Sequence, residues 1–375
     1  MDLPTPHRPS ARATRMDDSI RATFPDGDGH VLGPFLGSLP PEILDVVVKD
    51  LGWSQTTFAF AGKACREVVK RVRDTSAAPR PKFLCEYAAQ EGHLGVLRWA
   101  RQNGCPWNEE TCAYAARGGH LEVLLWARLE GCPWNEWTCA YAAKGGHLEM
   151  LRWAHENGCP WDEETCMYAA SGGYLEMLRW ARRNGCPWDS RTCQFAAGGG
   201  HLEVLQWARQ NGCPWDEFVS GAAAKGGHLE VLRWAHENGC PWDEMTCANA
   251  AEGGHLETLR FARETGCPWD CEASIYAARN GHLRVLQWAR ANGCPWEAAT
   301  CAHAAEGGHL EVLRWARENG CPWSEYTCIC AARRGHLDVL QWAYGNGCPI
   351  GWWTWKSAHS RCRPYLIEHG CPRGP

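Results

Sequence analysis

Apolar and polar positions alternate through this chain in two different rhythms. Between Asn108 and Trp134 a polar start, Asn108-Glu109-Glu110, leads into a run of small residues, Thr111-Cys112-Ala113-Tyr114-Ala115-Ala116. Gly118-Gly119 breaks that run. Leu121, Leu124 and Ala127 then recur at spacing three, with Val123 and Trp126 widening the apolar face. Gly131-Cys132-Pro133-Trp134 closes the segment. The pattern predicts helix, turn, helix and loop, with no strand. Asn108 suits a helix N-cap, and Glu109 and Glu110 suit the positive end of the helix dipole. The paired glycines suit a C-terminal stop. Each predicted helix has only about ten residues, too few to be stable alone. Burial against a neighbour must supply the rest.

That neighbour is a copy. The segment returns at an unbroken spacing of 27, anchored by His93, His120, His147, Tyr174, His201, His228, His255, His282, His309 and His336. Self-similarity at a fixed period signals a stacked array in which each unit packs on the next. This lets 375 residues fold without one large core. Charged residues make up 22% and the formal net charge is -5, which argues against nucleic acid as the main ligand. No stretch approaches the ~20 apolar residues that cross a bilayer, and Met1 to Arg15 lacks a signal core, so no membrane role is expected. A cytoplasmic or nuclear site is expected instead.

The 23 cysteines change the picture only until they are placed. Eleven lie in Gly-Cys-Pro triplets from Cys105 to Cys371, and eight occupy one other repeat position from Cys85 to Cys328. Equivalent residues of stacked helices stand roughly 8–10 Å apart, too far for a disulfide. No Cys-x-x-Cys occurs in the array, so the common zinc spacing is missing. These positions read as small buried hydrophobes in a reducing compartment. An array responsive to metal or redox state is the remote alternative, and neither metal nor cofactor is expected.

Tryptophan recurs at two rungs. One lies on the second helix, from Trp99 to Trp342 with Phe261 substituting, and the other follows each proline from Trp107 to Trp323. Such regularity suits a packing seam better than carbohydrate or base stacking. The histidine column reads as hydrogen-bonding residues at the helix–helix turn rather than metal ligands.

Ala115-Ala116-Arg117-Gly118-Gly119-His120-Leu121-Glu122-Val123-Leu124 resembles the core of the ankyrin repeat, Ala-Ala-x-x-Gly-His-x-x-Val-Val. The resemblance covers residues 83 to 348, with a partial unit to Pro372. Ankyrin repeats have about 33 residues against 27 here, a shortfall most simply placed in the β-hairpin finger between units. The usual Thr-Pro-Leu-His turn is not spelled out either. A finger-less, short-repeat variant is expected, similar to arrays abundant in giant DNA viruses and some protists. The resemblance implies protein binding.

Without a finger, the first helix becomes the expected recognition face. The residue two after each cap varies most between units, and a second row from Tyr114 to Cys330 varies as well. Aromatic residues and arginine anchor protein interfaces. This points to Tyr114, Trp137, Tyr141, Tyr168, Arg191, Phe218, Met245, Tyr276 and Tyr326 as target-binding residues. Drift on a solvated surface is the alternative. Near Phe218, Val219-Ser220-Gly221 replaces the usual Thr-Cys-Ala, and Gly221 predicts a local weak point or bend.

Residues 36 to 75 fall outside the repeat. Leu39-Pro40-Pro41-Glu42-Ile43-Leu44 opens a helical pattern continued by Val47, Val48 and Leu51. This start resembles an F-box, and Cys65-Arg66 falls where that motif often has Cys-Arg. Thr57-Phe58 stands where Asp-Leu is common, and Val68 or Val69 replaces a frequent Trp. The resemblance implies a Skp-type adaptor of a cullin–RING ubiquitin ligase as partner, contacted by Leu39, Pro40, Ile43, Leu44, Val47 and Leu51. The alternative is a helical cap covering the end of the array.

The expected fold is all-α: an ankyrin-like helical solenoid of about ten short repeats, preceded by a small helical F-box-like segment. The expected domains are a disordered tail over 1–35, the F-box-like segment over 36–75, a linker over 76–82 and the array over 83–375. No Gly-rich phosphate loop, nucleophile elbow or zinc-protease helix occurs, so an enzyme is not expected. The reading is a substrate receptor with an unknown target. Its rival is a scaffold or decoy without a ligase link.

Overall fold

The structure is a computed structural model and describes residues 83–102 and 104–372. The F-box-like segment, with Leu39, Pro40, Ile43, Leu44, Val47 and Leu51, lies outside the described residues. The described residues form 22 helices and no strand. Those of His93–Pro106 form part of one compact unit; Glu86–Gly92 and Trp107 onward form the other. In the first, the helix Leu94–Gln102 buries Leu97 and Ala100. In the second, first and second helices alternate from Glu109–Gly118 to Leu337–Gly345, and two six-residue helices, Trp352–Ser357 and Arg363–Glu368, come after them.

Each first helix begins where the sequence predicts. Asn135 accepts from the Trp137 amide at 3.2 Å, Asp162 from Glu164 at 3.1 Å, and Asp189 from Arg191 at 3.0 Å. These bonds satisfy amides left over at the helix start. The small-residue faces are shut away from solvent: Cys139, Ala142 and Ala143 are fully buried, as are Cys166, Ala169 and Ala170. With so little side chain between them, successive first helices stack directly on one another, more extensively than the second helices do.

Both helices of a unit end in the same way. After Glu136–Lys144, the amide of Gly146 bonds to Ala143 at 3.1 Å and that of His147 to Ala142 at 2.9 Å. After Leu121–Leu129, the amide of Gly131 bonds to Arg128 at 3.1 Å and that of Cys132 to Ala127 at 2.9 Å. This pair of reversed bonds is the Schellman ending, which needs a left-handed residue. Gly146 and Gly131 supply it with φ of 78° and 79°.

The second helices carry the large core side chains. Leu124, Leu151, Leu178, Leu205 and Leu232 are fully buried, with Val123 and Ala127 or their equivalents beside them. Burying one such leucine contributes about 1.5–3 kcal/mol, which a nine-residue helix lacks by itself. Gly221 does not break its helix: Glu217–Lys225 is continuous. The space a Cβ would fill at Gly221 is taken by the Asn249 amide, 2.9 Å away.

Both tryptophan rungs lock consecutive units. Trp107 meets Trp126 edge to face at 5.7 Å, and the same contact joins Trp134 to Trp153 at 5.8 Å and Trp323 to Trp342 at 5.9 Å. An arginine of the second helix stacks on the tryptophan after it, as with Arg128 on Trp134 at 3.9 Å and Arg317 on Trp323 at 4.2 Å. Arg128 and Arg317 also donate to the Cys132 and Cys321 carbonyls, pinning the loop to the helix end. His155 and His236 take the arginine's place, stacked on Trp161 and Trp242 at 3.7 Å and 3.9 Å.

Candidate partner-binding face

The histidine column joins units rather than the two helices of one unit. The Nε2–H of His147 donates to the carbonyl of Arg117, in the preceding first helix, at 3.2 Å. His120, His201, His228, His282 and His336 make the equivalent bond at 2.9–3.1 Å. Each imidazole caps a carbonyl that the end of the previous helix leaves unsatisfied. At His147 the ring occupies a slot walled by two glycines. A Cβ on Gly145 would stand 2.5 Å from its own unit's His147, and one on Gly119 the same distance from it. Tyr174 fits the slot as well, its ring against Gly146 and Gly172. Burial holds His309 below the ordinary histidine pKa, against its backbone hydrogen bond to Arg279.

The cysteine columns meet within a unit, which spacing along one column does not reveal. Cys139 hydrogen-bonds Cys159, twenty residues on, and Cys166 pairs with Cys186 in the same way. Where serine replaces the first cysteine, Ser220 and Ser274 donate to Cys240 and Cys294 at 3.4 Å and 3.2 Å. The Gly-Cys-Pro thiols donate to the carbonyl of the cap residue, as Cys159 does to Asn135 at 3.4 Å. The hydrogen bond to Cys159, together with burial, holds the Cys139 thiol above its ordinary value, so it stays protonated and unreactive.

With turns, loops and columns occupied by packing, solvent meets the first helices along their variable rows. Phe218 is 60% exposed, Tyr326 48% and Trp137 38%, while Tyr114, Tyr141, Tyr168, Arg191, Met245 and Tyr276 are half-buried. The second variable row is not uniform: Cys330 is fully buried.

Four of these residues form one continuous cluster. Trp137 meets Tyr141 at 5.6 Å, and Tyr141 meets Tyr114 at 6.1 Å and Tyr168 at 6.4 Å. Phe218, Met245, Tyr276 and Tyr326 lie further along the array, on separate helices. Arg191 is gathered into an ion-pair network of its own chain, with Asp189 at 2.8 Å, Glu163 at 3.1 Å and Glu164 at 3.9 Å. The hydrogen bond to Asp189 favours its charged form.

Charge is polarised along Glu109–Gly118 and Glu136–Lys144. Glu110 and Glu136 stand in their first turns and Arg117 and Lys144 in their last. The variable rows alone do not reveal Lys144, whose Nζ stands 4.8 Å from the Tyr168 ring centroid and 5.9 Å from that of Tyr141. The i, i+3 step from Tyr141 to Lys144 was the available signal. Farther along, Glu306 gathers Arg334 at 2.9 Å, Arg333 and His303 at 3.1 Å and Arg279 at 3.9 Å. Burial pushes this carboxyl up, but the bases outweigh it and hold it below the usual carboxylate range.

The architecture defines a helical-repeat protein with a solvent-facing row of first helices. Residues 139–182 and 301–344 match the family model of ankyrin repeats in many copies, and the chain carries ankyrin repeats within an ankyrin-type solenoid. No curated protein matches the chain. No described helix is long and apolar enough to cross a membrane.

Proposed function

We propose that this protein is a substrate receptor whose array holds a target protein along the first helices. Ankyrin repeats mark a protein–protein interaction module. One observation carries the placement of the binding face: within units that repeat their buried residues, the solvent-facing first-helix positions change from Glu110 to Trp137, Arg191, Phe218, Met245 and Tyr326. Packing explains the residues that repeat, whereas large rings and a guanidinium on a wet surface have the character of interface anchors.

Photo-crosslinkers at Phe218 and Tyr326, with Leu129 as control, test this placement. Leu129 is 86% exposed but belongs to a second helix. Target should be trapped from the first-helix positions and not from Leu129. Trapping from Leu129 alone sinks the placement.

The link to a ubiquitin ligase rests on Leu39-Pro40-Pro41-Glu42-Ile43-Leu44 and its resemblance to an F-box. In this reading the Skp-type adaptor docks on residues 36–75 and the array raises the effective concentration of target near the ligase. Co-purification of the adaptor with the full chain, lost on deletion of residues 36 to 72, supports it. A well-folded full chain that retains no adaptor leaves a scaffold or decoy without a ligase link.

A further inference from the structure

Three guanidiniums from two first helices meet at one carboxylate of the first helix between them. Arg279 ends the helix Cys271–Arg279, Glu306 stands near the end of Ala298–Gly307, and Arg333 and Arg334 end Glu325–Arg334. Arg334 reaches Glu306 at 2.9 Å, Arg333 at 3.1 Å and Arg279 at 3.9 Å, and His303 completes the ring at 3.1 Å. The Glu306 side chain is 11% exposed, against 44% for Arg333, 46% for Arg279 and 54% for Arg334. The carboxylate therefore lies beneath, and solvent meets the arginines.

Arg334 stands at a position that is glycine in seven units, Gly145 and Gly307 among them. At Gly307 a Cβ would stand 2.2 Å from the Arg279 carbonyl oxygen and 2.5 Å from the His309 ring. A side chain at this position therefore crowds the joint between units. Asn280 shares the position and turns back, its amide donating to the Tyr276 carbonyl of its own helix at 3.0 Å. Arg334 instead crosses to the preceding unit. An exposed ion pair adds little stability, so stability is a weak reason for an arginine here. Three guanidiniums against one carboxylate also leave a positive patch on a chain whose formal net charge is -5.

Each arginine approaches Glu306 through one nitrogen, and a guanidinium carries five N–H donors in a planar fork. Because the three converge on one carboxylate, their exposed sides suit one compact anion. Carboxylates on one side of an extended chain stand about 7 Å apart and would meet them singly. A phosphoryl group brings nearly two negative charges and three acceptor oxygens to one point, and arginine forks match its geometry. We propose that Arg279, Arg333 and Arg334 grip a phosphorylated side chain on the protein partner, with Glu306 holding the three in place. Tyr326 stands in the first turn of the helix that Arg333 and Arg334 end, so a partner docked along that helix spans both. The proposal rests on the reading of the first helices as the docking face.

The test uses the full chain and pools of short peptides with random flanks around one central residue. That residue is serine, phosphoserine, phosphotyrosine or glutamate. A phosphorylated pool should be retained about ten-fold better than the serine and glutamate pools. Arg333→Gln combined with Arg334→Gln should abolish that gap, while Arg183→Gln, an exposed arginine of a second helix, leaves it intact. Glu306→Ala removes a negative charge yet should narrow the gap, because the arginines lose their anchor. A wider gap in that variant overturns the holding role of Glu306. Melting curves check that each variant is folded. Equal retention of the phosphorylated and glutamate pools overturns the proposal, as does a gap that survives the double substitution or closes with Arg183→Gln. If the pools do not differ but target is still trapped from Phe218 and Tyr326, the phosphate site falls and the docking face stands. If trapping fails as well, both fall.

Discussion

At Gly145 an added methyl group would stand 2.6 Å from the Arg117 carbonyl and 2.5 Å from the His147 ring. Its φ is -80°, which any residue adopts, so the glycine is there for space. Gly145→Ala should therefore destabilise the array by about 1–3 kcal/mol in urea unfolding, the usual range for overpacking. Unchanged or increased stability would sink the slot account. Gly221 makes the opposite case. Its neighbour is the far end of the Asn249 side chain, which can rotate away. Gly221→Ala should gain up to ~1 kcal/mol of helix propensity. A loss of stability would mean that Asn249 is held in place. Only the structure separates these two glycines, because the deciding atom comes from another unit in both cases.

At the scale of the element, helix limits were largely legible in the sequence. Asn135, Asp162 and Asp189 announce the first helices, and left-handed glycines such as Gly131 and Gly146 end helices of both kinds. Contacts 20, 24 and 30 residues apart stayed hidden: thiol to thiol, thiol to cap carbonyl, and imidazole to the preceding helix. A single unit contains no hint of the 30-residue contact, because its acceptor is a backbone carbonyl of the unit before. Of the binding face, the varying residues were legible. Their grouping into one aromatic cluster, and the capture of Arg191 by its own carboxylates, needed the packing of helix on helix. The His309 contact also carries a pH dependence. The folded state holds His309 below its unfolded pKa of about 6.5, so the unfolded chain binds the proton more readily. His309 thus costs no stability above that value and erodes it as pH falls through 6.5 towards the folded pKa. His309→Gln should flatten this part of the stability profile between pH 7.5 and 5.5, read by thermal melts across that range. A variant whose profile matches the parent's removes His309 as a contributor.

For the whole molecule, stability is a chain of near-neighbour terms. The last full unit relies on the short C-terminal segment packed against it. There the His359 amide donates to the Ala332 carbonyl at 2.8 Å, and the Thr354 hydroxyl donates to Glu325 at 3.2 Å. Truncation after Cys348 would uncover Cys328, Ala331 and Ala332, which are fully buried in the intact chain. The truncated protein should melt earlier and self-associate, which light scattering on a sizing column reads directly. A monodisperse truncation with the parent's melting temperature would show that the two short terminal helices do not protect this end.

The histidine slot makes most junctions interchangeable. One ring, two glycines and one backbone carbonyl meet at each, and none of these parts encodes which unit comes before or after. An in-frame gain or loss of one 27-residue block at such a junction therefore leaves a well-formed joint behind. Length becomes a variable that recombination between copies can adjust. The array is in this respect a ruler whose divisions can be added or removed without recutting the rest.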